Sequence, residues 1–180
     1  MRKFCLTIIV LAGFSKALFA QFGNCTASEM QTYTDRETGN TITILTDTLK
    51  NDRFLYQTDP MWTHDGKYLL FRSSSRANDK KIERTLPNGE KRSWTPTQIY
   101  FIEMATGQII QATEGPDLGS AFLANKSNRM FISRKEKEDW NMYVMDLDKF
   151  FADVKKGKVG KPTAYETLLG TFPTSMGRPG

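Results

Sequence analysis

Several residue types and motifs that carry enzyme chemistry are scarce or missing in this sequence. It has one histidine, His64, and two cysteines, Cys5 and Cys25, in 180 residues. A lone histidine excludes a histidine-rich metal centre built from this chain by itself. No Gly-rich phosphate loop, paired Cys-x-x-Cys or Gly-x-Ser-x-Gly elbow is present, which removes the motif-level case for phosphate-loop, zinc-ribbon and hydrolase chemistry. Apolar residues at helical spacing are also scarce, so a helical bundle is excluded as the main architecture.

Long apolar runs are confined to the first twenty residues, MRKFCLTIIVLAGFSKALFA. Arg2 and Lys3 give this segment a basic start, and Ala20 gives it a small residue at its end. The pattern predicts a signal peptide over 1–20, cut between Ala20 and Gln21, and therefore a periplasmic or secreted protein. Ser15 and Lys16 interrupt the apolar stretch, which falls short of the roughly 20 residues of a membrane-crossing helix. No membrane span is expected after signal removal. A retained anchor is one alternative. Acylation at Cys25 is another, although Phe22, Gly23 and Asn24 are a poor approach to a lipoprotein cysteine.

Charge excludes a further partner class. The whole chain carries 25 basic and 20 acidic residues, a net charge of +5. Removal of 1–20 takes away Arg2, Lys3 and Lys16 and no acid, leaving 22 basic against 20 acidic, or +2. A near-neutral surface has no broad field for nucleic acid, and that partner is excluded. Loss of Cys5 leaves Cys25 alone, so no internal disulfide is expected and stability must come from packing.

What the sequence does contain is short apolar or alternating runs bounded by Gly, Asn, Asp and Pro, the pattern of an all-β chain. TQIYFIEMATGQIIQATEG (97–115) reads as two strands about a turn at Thr106-Gly107. ETGNTITILTD (37–47) copies its second half. DGKYLLFRSS (65–74) has an echo in KSNRMFISRK (126–135), with Phe71 against Phe131. QIYFIEM has one in NMYVMDL, with Tyr100 against Tyr143. Once a polar insertion between Ser75 and Trp94 is discounted, the period is about 40–45 residues, which with four short strands per unit is the mark of a β-propeller. The continuous apolar run Tyr68–Phe71 fits a strand buried on both faces between blades, with Trp62 and Phe71 expected to fill the wedge.

Two segments depart from the repeat. RANDKKIERTLPNGEKRSW holds six basic residues (Arg76, Lys80, Lys81, Arg84, Lys91, Arg92) and three acidic ones (Asp79, Glu83, Glu90), with a turn at Pro87-Asn88-Gly89. It reads as an exposed hairpin or loop. DLDKFFADVKKGK (146–158) places Leu147, Phe150, Phe151 and Val154 at helical spacing, with Asp146 as N-cap and Gly157 as the stop. The fold class is therefore all-β, an incomplete, N-terminal two to three blades of a β-propeller of four-stranded antiparallel blades, with one short helix. Within the domain at 21–180, blades are expected at about 50–115 and 116–168. A third starts from about 169, and 31–47 supplies a strand of the closing blade. Propellers have at least four blades, so this count implies further blades beyond Gly180.

PMWTHDGKYLLFRS resembles the TolB-type propeller repeat: Pro, an aromatic, Ser or Thr, then Asp-Gly-Lys before an apolar strand ending in Phe-x-Ser. The order QTYTDRETGNTITILTD, FLYQTDPMWTHDGKYLLFRSSS, IYFIEMATGQIIQATEG resembles the start of oligogalacturonate lyases over about residues 31–150. The resemblance implies a seven-bladed propeller that cleaves unsaturated or short galacturonides by β-elimination. Such chemistry needs a base for the proton α to the carboxylate and a cation for the charge that develops. In that family a histidine is the base, and histidines with a glutamine hold manganese, all in later blades. None of those positions lies in this chain. No catalytic residue is expected here, and manganese or another divalent cation is expected only in a full-length protein.

Substrate-binding candidates remain. Arg72 and Arg134 closely follow core phenylalanines and have the fork geometry for a sugar carboxylate; the competing reading pairs them with local acids such as Asp59 or Glu136. Gln57 and Asp59 are expected on an inner strand facing a central channel. Trp94 and Trp140 offer sugar-stacking faces or interblade packing. His64 reads as a solvated turn residue. The partner so implied is an acidic oligosaccharide, a galacturonide. The other functions open to such a chain are a non-catalytic TolB-like propeller that binds protein or glycan, and the propeller module of an exported serine hydrolase.

Overall fold

The computed structural model describes residues 21–77, 81–86, 88–115 and 118–176. The expected signal segment at 1–20, and Asp79, Lys80 and Pro87 of the polar insertion, lie outside the described residues.

The strands are β1 (Cys25–Thr26), β2 (Gln31–Thr34), β3 (Thr41–Ile44), β4 (Asp52–Arg53), β5 (Tyr68–Ser73), β6 (Ile82–Thr85), β7 (Lys91–Trp94), β8 (Gln98–Glu103), β9 (Ile109–Gln111), β10 (Leu118–Leu123), β11 (Arg129–Glu136), β12 (Asp139–Asp146) and β13 (Glu166–Pro173). The helix α1 (Leu147–Lys155) separates the last two. Two larger antiparallel sheets form, in the orders β1-β9-β8-β5-β4 and β10-β11-β12-β13. These are the first and second blades. The hairpins β2-β3 and β6-β7 pair within themselves.

Strand alternation explains why the first blade reads as unbroken apolar runs. The cross-strand row Leu70, Phe101, Ile110 lies on one face. That face joins a core with Met130 and Ile132 of the second blade and with α1. Phe71, Tyr100, Ile102 and Ile109 lie on the other face, under Met30 and Leu45, which flank the β2-β3 hairpin. A sheet covered on both sides has no polar face to alternate with. Gly107 sits at φ 73° in the turn between β8 and β9, as its sequence position requires.

The helix forms where the spacing placed it. Asp146 accepts a hydrogen bond from the backbone of Lys149 at 3.0 Å. Leu147, Phe150, Phe151 and Val154 are buried. Phe151 stacks on Tyr68 with ring centroids 3.6 Å apart and meets the edge of Phe101 at 5.1 Å. At its C-terminal end Lys155 reaches Glu103 of the first blade at 2.9 Å. The helix thus fills the wedge between the blades.

Three expectations change. Trp62 is 46% exposed, and Phe71 packs on the face turned away from the second blade; the wedge is filled by Leu70, Phe101 and the helix aromatics instead. Side-chain parity along β5 decides this, since Leu70 and Phe71 point to opposite faces. Residues 169–173, expected to open a third blade, belong to β13, the fourth strand of the second blade, paired with β12. The helix between β12 and β13 detaches that strand from its blade in the sequence. The segment 31–47, read as one strand, is a two-stranded hairpin. The insertion does form an exposed hairpin, with Ile82 opposite Trp94.

Arg76, grouped by composition with the insertion's solvated charges, is instead 7% exposed. Its guanidinium holds Asp52 at 2.6 Å and Glu29 at 2.6 Å, and lies 5.3 Å from the Phe71 ring centroid. Glu29 also accepts from the Asp47 backbone at 2.8 Å. This cluster pins the β2-β3 hairpin to the first blade.

Two outcomes are expected. Phe151→Ala should lower unfolding free energy by about 3–5 kcal/mol, since the emptied site lies between two blades and collapses poorly; chemical denaturation measures it, and a change below about 1 kcal/mol would contradict the wedge. The Glu29 carboxyl is held down to about 2 from its ordinary 4.5, chiefly by the Arg76 hydrogen bonds. A depressed carboxylate stabilises above its unfolded value and loses that contribution as pH falls through the folded one, here from 4.5 towards 2. Denaturation midpoints across that window should fall less steeply in Glu29→Gln than in the parent, and parallel slopes would reject the clamp.

Candidate functional site

Between the start of the two blades lies a cleft of about 520 Å³. One wall is Asn51, Arg53, Arg72 and Ser74, from β4, β5 and their flanks, and the other is β10 from Leu118 to Ala121. Trp94, at the end of the insertion hairpin, and Thr97 complete it. Gly119 admits the close approach of β10 to its neighbours: a Cβ there would fall 2.3 Å from Ser133 Oγ and 2.7 Å from the Trp140 ring.

The register sets the cleft's charge. Arg53 and Arg72 are direct cross-strand partners. Like charges directly opposite each other on a sheet are destabilising unless something neutralises them. Among the described residues neither forms an ion pair; Arg53 Nε donates to Asn51 Oδ1 at 3.3 Å, and Arg72 Nη2 reaches the Phe54 carbonyl at 3.4 Å. Asn51 is fixed in turn by donating to Ser74 Oγ at 2.8 Å. Among the described residues these two guanidinium forks, one exposed and one half-buried, bond locally to neutral oxygens. Trp94, 43% exposed, supplies an adjacent apolar face with an N–H at its rim. Such a constellation suits a planar anion attached to a flat, partly apolar body.

The other candidates are placed elsewhere. Arg134 makes a two-bond ion pair with Glu166 at 2.5 and 2.7 Å, across the Tyr143 ring, which lies 5.5 Å from its guanidinium. Its partner is thus Glu166, neither Asp59 nor Glu136, and it fastens β11 to β13. Burial opposes the Arg134 charge, but the Glu166 bonds outweigh it and raise its pKa. Gln57 and Asp59 sit in a turn, with Asp59 N donating to the Tyr56 carbonyl at 2.8 Å, not on a strand lining this cleft. Trp140 is half-buried against Gly119. His64 is exposed in its turn and donates from Nδ1 to the Asn125 carbonyl at 3.1 Å, tying the turn to the second blade. Arg53 was the residue sequence reasoning missed. Its only signal would have been the β4-β5 register, which sets it opposite Arg72.

A larger hollow of about 1000 Å³ lies beside Phe22, Cys25 and the end of α1. Of its charged groups, Lys155 is engaged with Glu103 and Glu114 with backbone N–H groups, which leaves Lys161 as a single cation. It offers no comparable set of free donors.

Two antiparallel sheets share a core with α1 between them, an arrangement that fits part of a β-propeller. No protein-family model and no curated protein sequence matches the chain. Solved structures do. An oligogalacturonate lyase in complex with manganese matches with a TM-score of 0.51 at 22% identity, over 73% of this chain and 30% of its own. An oligogalacturonate lyase from Vibrio parahaemolyticus matches with a TM-score of 0.50 at 23% identity, over 72% of this chain and 29% of its own. The chain thus shares their fold and spans about three-tenths of their length. The manganese of the first neighbour has no counterpart that these residues fit: among the described residues no three of His, Cys, Asp and Glu are grouped to hold a metal ion.

The Arg134–Glu166 pair yields its own test. Glu166 is only 3% exposed, so Arg134→Ala strands a buried carboxylate and should destabilise by about 3–5 kcal/mol. The double replacement with Glu166→Ala should recover part of that loss in denaturation midpoints; simple additivity would show the pair to be uncoupled.

Proposed function

We propose that this chain is the N-terminal part of an exported, periplasmic or secreted propeller that acts on uronic-acid oligosaccharides, and that the Arg53–Arg72 cleft receives a sugar carboxylate. The single observation that carries the reading is the opposed, unpaired arginine couple beside Trp94. A uronide presents a planar carboxylate for bidentate bonding and C–H faces for an indole, which neutral sugars and simple anions offer only in part. The shared fold with oligogalacturonate lyases supports the same substrate class.

In the complete protein the reaction is β-elimination. A base for the α proton and ligands for a charge-stabilising divalent cation would have to be supplied by residues other than those described here. What these residues do is bind and orient. Arg53 and Arg72 fix a carboxylate, Asn51 and Ser74 hold Arg53 in place, and Trp94 defines the plane of the neighbouring ring. The second blade's outward face is consistent with further blades: Phe122, Phe131, Met142 and Val144 are only half-buried there, and Phe172 is 38% exposed.

Digalacturonate should bind this chain and perturb Trp94 fluorescence, whereas the uncharged galactose disaccharide should not. Each of Arg53→Ala and Arg72→Ala should weaken binding at least about tenfold, the loss of one charge-assisted hydrogen bond, with an unchanged denaturation midpoint. Unchanged affinity in both variants would reject the cleft. For the whole protein, digalacturonate with manganese should give rising ultraviolet absorbance from the unsaturated product. Binding without such a rise would favour a non-catalytic glycan-binding propeller.

A further inference from the structure

We propose that Glu114 is the docking site of a new amino terminus, formed when the chain is cut between Ala20 and Gln21. The cut rests on the export reading above, while the docking rests on geometry. Phe22 is 5% exposed, with its ring 5.0 Å from Phe150 and 5.7 Å from Tyr165. Gly23, at φ 78°, donates to the Gln111 carbonyl at 2.7 Å. A Cβ on Gly23 would fall 2.5 Å from Val159 Cγ1, so the backbone is seated tightly there. Core packing therefore fixes where the nitrogen of Gln21 stands.

One carboxylate oxygen, Glu114 Oε2, accepts from the backbone nitrogens of both Gln21, at 2.9 Å, and Phe22, at 3.1 Å. Among the described residues no lysine or arginine forms an ion pair with Glu114. Among the described residues the donors to this carboxylate are these two neutral amide N–H groups. Cutting the Ala20–Gln21 peptide bond replaces the nearer amide N–H by an α-ammonium group at the same place. The bond then becomes charge-assisted on both sides, shorter and stronger than the one before the cut. The fold is thus stabilised by its own processing.

The same contact protects the terminus chemically. A free terminal glutamine closes into a lactam when its unprotonated amine attacks its own side-chain amide carbon. A carbon–nitrogen bond forms, the bond to the side-chain nitrogen breaks, and ammonia leaves. Glu114 holds the amine as ammonium, which has no lone pair for the attack, so closure is slowed.

The cut and the docking are tested separately. Production of the full sequence in a host that exports proteins, followed by intact mass and amino-terminal sequencing, should place the mature start at Gln21, and any other start overturns the cut. Docking is tested on purified chains that begin at Gln21 or carry one added alanine before it, each with Glu114 and with Glu114→Gln. At neutral pH the chain beginning at Gln21 should unfold at a higher denaturant concentration than the extended one, and the gap should close in Glu114→Gln. That variant should also lose ammonia from its terminus several-fold faster by mass spectrometry. Equal midpoints in the Glu114 background, or equal rates of ammonia loss, overturn the docking, and they do so independently of any uronide binding.

Discussion

Burial of β5, β8 and β9 on both faces is the constraint on which the described structure depends. A sheet with no wet face must be covered twice, and the two covers differ in kind. On one side the second blade and α1 meet it through Leu70, Phe101 and the Tyr68–Phe151 stack. On the other the β2-β3 hairpin lies over Phe71 and Tyr100 through its flanking residues Met30 and Leu45. Apolar contact has no directional preference, so polar ties at the margins fix how each cover sits. Glu103 with Lys155 ties the helix, and Arg76 with Glu29 and Asp52 ties the hairpin.

The elements that could be read from the sequence are those whose signal is local. The helix was legible because its cap, its four buried positions and its stop lie within thirteen residues, DLDKFFADVKKGK. The strands of the first blade were legible because double burial leaves an unbroken apolar run. What escaped depends on relations between distant segments. The fate of Leu168–Pro173 turns on pairing with β12 across the intervening helix. The role of Arg76 turns on two acids brought from Glu29 and Asp52, and nothing in a charge-rich stretch distinguishes a clamped arginine from a solvated one.

The candidate site divides along the same line. Arg72 drew notice in the sequence because it follows a core phenylalanine, although an unbroken apolar run does not show which face each side chain takes. Its partner Arg53 lies on a two-residue strand too short to show any pattern. Arg134, two residues further from its phenylalanine in the next repeat, is captured by Glu166. One arginine is a tether and the other an open donor, according to whether a carboxylate arrives from a neighbouring strand.

The five-stranded sheet has a consequence for how the molecule comes into being. Its outermost strand, β1, is supplied by Cys25 and Thr26 pairing with Ile109 and Ile110. Cys25 and Thr26 leave the ribosome well before Ile109 and Ile110, so β1 has no ladder to join until β9 has been made. Completion of this edge cannot precede the synthesis of β9. Until then the β9 edge offers its ladder to any passing strand, and β1 is the stopper that ends that exposure.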